Sequence, residues 1–518
     1  MEYQSILFEN KADRIADIAD VIDIADEACS MPEYFRDLNL DQIIREILEG
    51  KEEYELDRFF YQNLRDVSSI NYRLDIMKEI EKGEVYECII TFASKMKRIR
   101  EYVGFSRETH NQYQRKKWLL DAANLYCDTI NNLCDSLSSI DLKSKGLCLF
   151  KEWLTEYIKS NLFGRLYDDT KRLLDRFSKI RYSVEIDSGK AIVKNDDHTE
   201  DYCASISETL GQINETVFDY KIRFFSDLEM CSLESKVLEI VRNMNIDIFN
   251  ELDKYYEVHI EFIDNAIKCF DREIQFYVSY WEYIKKLKLK GFRFAYPSLS
   301  NRKTVNVTGG YDLALAYKCS GSAASVVTND FCQSDDERIF LLTGPNQGGK
   351  TTFARAFGQI FFLASIGCPV PCEKAELFPV DNIFTHFAAE ENLDKNAGRL
   401  KEELIRLKKI MRNVSGSSVV IINELFASTT SHDAYTMGKK ILEYFIMADC
   451  ICLYVTHIHE LVSVSDRIIS LVATVNTDMK NTRTYKIVRK PADGCAYANS
   501  IVEKYNLAYS QIKERIGA

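Results

Sequence analysis

The chain has 518 residues, 46% of them hydrophobic and 28% charged, a balance that excludes a disordered or fibrous polypeptide and leaves room for roughly two to four domains. Its formal net charge of −12 excludes a protein that coats nucleic acid over its whole surface, so nucleic-acid contact must come from local basic patches. The acidic amino terminus carries no signal-peptide pattern, and no segment approaches the roughly 20 apolar residues of a membrane span; a cytoplasmic protein without membrane contact is expected.

Proline marks the organisation. None of the seven prolines lies between residues 33 and 296, and helix interiors exclude proline. The first helix is predicted at Leu40, Ile43, Ile44, Ile47 and Leu48, spaced i, i+3, i+4, i+7 and i+8, with Asn39 as cap and Gly50 as stop. Further helices are predicted over 118–127 and 262–289. Phe150 falls in an apolar helical pattern from Leu147 to Leu154 and reads as core. Around Asp187-Ser-Gly189 the pattern alternates instead, which predicts a hairpin over 182–194. Basic clusters at 95–100, 115–117 and 285–290 each read first as solvated helix faces and second as phosphate contacts. Fifteen cysteines form no CxxC pair. The closest, Cys368/Cys372 and Cys450/Cys452, have apolar neighbours and read as reduced thiols rather than a zinc site.

After Pro297 short apolar runs at 339–342, 419–422, 451–455 and 468–473 alternate with helical stretches, the pattern of a parallel sheet covered on both faces. The chain is therefore divided near residue 291. Residues 1–290 form a helical region with a possible small hairpin or clamp near 178–205, and 291–518 an α/β domain.

The sharpest motif is Leu341-Leu-Thr-Gly-Pro-Asn-Gln-Gly-Gly-Lys-Thr-Thr352, which fits GxxxxGK[ST] between a strand and a helix. Gly344, Pro345, Asn346, Gln347, Gly348 and Gly349 would turn backbone N–H groups onto phosphate oxygens. Lys350 would reach the β/γ-phosphates, and Thr351, followed by Thr352, would offer its hydroxyl to Mg²⁺. ATP and Mg²⁺ are the expected cofactors. Downstream, the run Ser418-Val-Val-Ile-Ile-Asn-Glu424 delivers Asn423 and Glu424 to the end of an apolar strand, and Val455-Thr-His457 does the same for His457. Side chains of a parallel sheet meet ligands at such ends.

These motifs, with Ile366–Pro371, Asp381–Thr385 and the run Asn423-Glu-Leu-Phe-Ala-Ser-Thr-Thr-Ser-His-Asp-Ala434, resemble the ATPase domain of MutS-type DNA mismatch-repair proteins over roughly residues 338–516. The tail at 493–498 and 512–516 is similar to that family's closing helix-turn-helix. Weaker similarity extends to 59–66 and 72–77 in the helical half. The resemblance implies a multidomain chain: an all-α N-terminal core/lever region followed by an α/β P-loop ATPase domain of the ABC type. It implies that Glu424 activates water, that His457 senses the γ-phosphate, and that Asp433 sits in a loop exchanged across a homodimer.

Three features depart from the family. Asn423 stands where an aspartate supports the Mg²⁺ shell, possessing a carbonyl oxygen but no charge, so weaker metal affinity and slow hydrolysis are expected. The partner-contacting Gly-Arg-Ser-Thr-Phe run reads Ala397-Gly-Arg-Leu-Lys-Glu-Glu403, which leaves Arg399 but no serine. No mismatch-reading domain fits before the helical region; Phe150-Lys-Glu152 matches the wedge only in letters. The expected function is ATP-gated binding of mismatched, branched or distorted DNA, as in mismatch repair. The alternatives are a P-loop mechanochemical ATPase acting on a protein partner and a nucleotide-binding regulator with little hydrolysis.

Overall fold

Runs of Val, Ile, Leu and Phe without alternation cannot present one face to water, so they pair in the middle of a sheet covered on both sides. The computed structural model describes residues 3–9, 31–187, 190–195, 230, 232–320, 326–334, 336–387, 399–426, 429–476 and 482–491. Its strands are β1 (Tyr182–Asp187), β2 (Lys190–Asn195), β3 (Ser298–Leu299), β4 (Asn306–Gly310), β5 (Asn329–Cys332), β6 (Ile339–Thr343), β7 (Lys374–Leu377), β8 (Ile383–Phe387), β9 (Val419–Asn423), β10 (Ile451–Val455), β11 (Ile468–Asn476) and β12 (Thr482–Arg489). The main sheet has the order β12-β11-β6-β10-β9-β8. All of its pairs are parallel except β11–β12. β6, β9 and β10 are buried at every position. Helices Lys350–Ser365, Arg399–Asn413 and Ser431–Met447 lie in the connections between parallel strands. Register pairs Leu342 with Val455 and Val455 with Asn423, so β6, β10 and β9 end together along one sheet edge.

A second sheet, β3-β7-β4-β5, is mixed: β3 runs parallel to β7 and the other pairs are antiparallel. Its strands have two to five residues, too short to show a period, and the sequence reading did not anticipate them.

The chain forms two compact units. One holds Gln4–Lys82, Lys143–Leu147 and Arg272–Ala518, and the other Met1–Tyr3, Gly83–Leu142 and Cys148–Asp271. The described residues between 4 and 82 therefore fold with both larger sheets, although they lie far before the change of texture at Pro297. The helix predicted at 40 spans Leu40–Leu48. Asn39 is at its start but at φ 56°, without a side-chain cap bond; it supplies a left-handed turn in place of the expected cap. Arg73, fully buried in helix Val67–Glu81, donates to the carbonyls of Leu7 at 2.9 Å and Ile366 at 3.1 Å. The segment before residue 40 is keyed to the helices beside the main sheet. Asp37 accepts from Thr385 at 2.6 Å and pairs with Arg406. Arg355 donates to the Asp37 carbonyl at 3.2 Å, Gln359 to that of Leu38 at 2.8 Å, and Phe35 meets Phe362 edge to face.

In the other unit helices Glu84–Glu108, Gln112–Ser139, Asn161–Ser178, Ser232–Met244 and Ile246–His259 carry most of the chain. Phe150 is fully buried and stacks on Phe270 with ring centroids 3.5 Å apart, so it is core as read from the sequence. β1 and β2 pair antiparallel from Tyr182↔Asn195 to Asp187↔Lys190, the hairpin expected there. Several cations of the basic clusters are paired within this unit: Arg100 with Asp271, Lys117 with Asp121, and Lys116 with Asp253 at 2.7 Å. Among the described residues no helix is long and apolar enough to cross a membrane. The tail expected as a helix-turn-helix, the 397–398 part of the partner-contacting run, and most of 195–205 lie outside the described residues.

Candidate nucleotide site

The site is at the common end of β6, β9 and β10. β6 stops at Thr343, and the loop 344–349 leads into helix Lys350–Ser365. Gly344 has φ 130° and Gly349 φ 91°, conformations that L side chains rarely adopt. A Cβ at Gly344 would also lie 2.9 Å from both the carbonyl oxygen and Cβ of Ala473 on β11. Gln347 adds a left-handed turn at φ 59°, and Gly348 N–H donates to the Pro345 carbonyl at 3.2 Å. The first N–H groups of the helix have no intrahelical acceptor and carry its positive end, which suits an anion in the loop.

Lys350 is folded back into that loop. Its ammonium donates to the Gly344 carbonyl at 3.0 Å and the Pro345 carbonyl at 3.1 Å, and its side chain is 4% exposed. Burial pulls its pKa below the usual lysine value, with the Glu424 carboxylate opposing. The nearest Glu424 oxygen is 4.0 Å from the ammonium and 3.3 Å from His457 Nε2. The hydrogen bond with His457 is the largest cause holding the Glu424 carboxyl below its usual pKa, while burial opposes it. A depressed folded-state pKa keeps Glu424 ionised at neutral pH; the associated stability is lost as pH falls through that value. Glu424 is about one-third exposed and His457 about half, so both face the open edge of the sheet.

Asn423 lies one residue earlier and is buried. Its amide nitrogen is 3.4 Å from the Thr351 hydroxyl, and its Oδ1 is buried without a hydrogen-bond partner. A half-turn of the Asn423 amide about its terminal bond would exchange the two atoms and bring its carbonyl oxygen beside the Thr351 hydroxyl. Among the described residues no cluster of three or more His, Cys, Asp or Glu side chains could hold a metal by itself. Two neutral oxygens fit Mg²⁺ that keeps several waters and takes its remaining ligands from phosphates.

Lys350, Thr351, Asn423, Glu424 and His457 are thus brought together. Asp433 is used locally: it opens helix Ser431–Met447, where its N–H donates to Thr430 Oγ1 at 3.2 Å and its carboxylate accepts from that hydroxyl at 2.7 Å. Arg399 is the first residue of helix Arg399–Asn413. Sequence reasoning missed a clamp from β12. Arg483 Nε donates to the Asn346 carbonyl at 3.2 Å, and Tyr485, at φ 57°, lies against Gly349. No local signal marks these two residues, because only the pairing of β12 with β11 carries them to the loop.

The family model described as MutS domain V matches residues 340–510. Over this stretch the chain is similar to MutS-family proteins. It is 30% identical over 207 residues to the DNA mismatch repair protein MutS of Orientia tsutsugamushi (strain Boryong), a stretch covering 39% of this chain and 23% of that protein. It is 35% identical over 146 residues to the DNA mismatch repair protein MSH2 of Saccharomyces cerevisiae, covering 28% and 15%. To the DNA mismatch repair protein Msh3 of Mus musculus it is 34% identical over 166 residues, covering 31% and 15%. The matched stretches thus span less than a quarter of these relatives' lengths, and the residues matched by the family model, 340–510, include the glycine loop and all five converging residues.

Proposed function

We propose that this chain is a MutS-type ATPase whose nucleotide occupancy controls its grip on mismatched, branched or otherwise distorted DNA, acting as a homodimer. The observation that carries the reading is the convergence of Glu424 and His457, just past the ends of adjacent parallel strands, on Lys350 at the start of the helix that the glycine loop opens. Lys350 would exchange its two loop carbonyls for β/γ-phosphate oxygens. Glu424, held ionised by His457, would orient the attacking water and take its proton. His457 would register whether the γ-phosphate is present. Thr351 and Asn423 would hold Mg²⁺, which when bound neutralises charge developing on the phosphates. Arg399 and Asp433 would face the partner's nucleotide.

Asn423 makes the metal the weak member of this site. Replacing it with aspartate restores an anionic oxygen beside Thr351, and Mg²⁺ prefers such ligands. Asn423→Asp is expected to lower the Mg²⁺ concentration that half-saturates nucleotide binding by about tenfold, the equivalent of one charge-assisted contact. Titrating Mg²⁺ against a fluorescent ATP analogue checks this; an unchanged midpoint would remove the assigned role of Asn423.

The DNA side is tested by measuring affinity for mismatched, branched and plain duplexes with ATP and Mg²⁺, with ADP, and without nucleotide, at several salt concentrations. The expected result is a preference for distorted DNA whose strength changes with the nucleotide, and a logarithmic fall of affinity with salt. The paired cations of the basic clusters and the net charge of −12 favour a second reading, a mechanochemical ATPase gripping a protein. Failure to bind every duplex while ATP turnover persists would select that one.

A further inference from the structure

Glu424 reaches the site on an unusual turn. Glu424 has φ 58° and Phe426 φ 63°, left-handed conformations that are unfavourable for residues with a Cβ and persist only where the surroundings enforce them. Three holds are visible. Glu424 N–H donates to the Val455 carbonyl at 3.0 Å. The Leu425 and Phe426 side chains are buried in the core beneath helix Ser431–Met447. The third hold comes from another element: Phe426 N–H donates at 3.2 Å to Oε2 of Glu403, a buried carboxylate in helix Arg399–Asn413.

We propose that Glu403 is a positioning residue for ATP hydrolysis, holding the turn that presents Glu424 by accepting the Phe426 amide. The proposal rests on the ATPase reading of the site. Glu403 acts through the Phe426 amide, two residues downstream of the group that would meet water. Its helix begins at Arg399, the residue assigned to the partner-facing edge, and is tied at Arg406 to Asp37. A displacement of that helix therefore reaches Glu424 through one carboxylate–amide bond. An uncharged acceptor of the same shape would preserve this bond, whereas a truncated side chain would leave a buried N–H without an acceptor.

The test compares the full chain with Glu403→Ala and Glu403→Gln in ATP turnover, affinity for a fluorescent ATP analogue, and hydrogen exchange of the peptide containing 424–426. Glu403→Ala is expected to lower kcat about tenfold to a hundredfold, the scale of a displaced catalytic group, while nucleotide affinity changes less than about threefold. The Phe426 amide should exchange faster in this variant. Glu403→Gln should keep most of the turnover and the protection. Equal loss in both variants, loss of affinity in step with kcat, or unchanged exchange would overturn the assignment. A wild type that binds nucleotide without turning it over would refute the ATPase reading alone, because exchange at Phe426 still decides whether Glu403 holds the turn. Should Glu403→Ala fail to fold, wild-type exchange decides: the Phe426 amide must be as protected as the β9 amides, and rapid exchange would refute the hold.

Discussion

Glu424→Gln is expected to lower ATP turnover by about a hundredfold to ten-thousandfold, the range for removing a positioned general base, and to leave nucleotide affinity nearly intact. The amide matches the carboxylate in shape and can still accept from His457, but it cannot take a proton from water. Lys350 is 4.0 Å away and keeps its route to the phosphates, so binding and chemistry should separate cleanly. Single-turnover hydrolysis beside equilibrium binding makes the comparison. Comparable turnover in the variant would mean that another group activates water, and His457, 3.3 Å from the Glu424 carboxylate, would be the first to examine. Because Glu424 is held ionised, its contribution should persist below the ordinary carboxylate range and fade only as pH falls through its depressed value.

Lys350→Met should act at the earlier step. Methionine retains much of the stem volume and the buried packing, but loses the ammonium that now satisfies the Gly344 and Pro345 carbonyls. Each charge-assisted contact to a phosphate is worth about 1.5–3 kcal/mol, so nucleotide Kd should rise by about tenfold to a hundredfold or more. The two loop carbonyls also lose their donor, so the apo protein should melt at a lower temperature than wild type. Calorimetric titration with ATP and a thermal scan measure both effects. Retained affinity would mean that the glycine loop and helix terminus suffice to hold the anion.

These expectations draw on parts of the molecule that differ in how far they could be read beforehand. The glycine loop is contiguous: strand, loop, lysine, hydroxyl and helix fall within a few residues of one another, so local conformational preference and chemistry coincide. Glu424 and His457 follow the same logic, since an apolar run that ends in a polar residue in an α/β pattern delivers that residue to a sheet edge. The helices at 40–48, 118–127 and 262–289 and the hairpin at 182–194 are predicted from periodicity and turn residues. The second sheet is not, because strands as short as Ser298–Leu299 carry no period. Asn39 misled for a local reason: asparagine serves equally as a helix cap and as a left-handed residue, and here the second use was taken.

Sequence alone determined the chemistry available to this protein: which strand ends carry Asn423, Glu424 and His457, and which loop could receive a phosphate. Tertiary structure decided how those groups are held. Arg483 reaches the loop from 137 residues away, Asp37 pairs with Arg406 across 369 residues, and Glu403 accepts the Phe426 amide from a neighbouring helix. The left-handed turn at Glu424 has no signature in its own side chain. Local sequence encodes propensity and period, which act over a few residues, whereas strand order and register bring distant side chains within hydrogen-bond reach, and such contacts exist only once the sheet has formed.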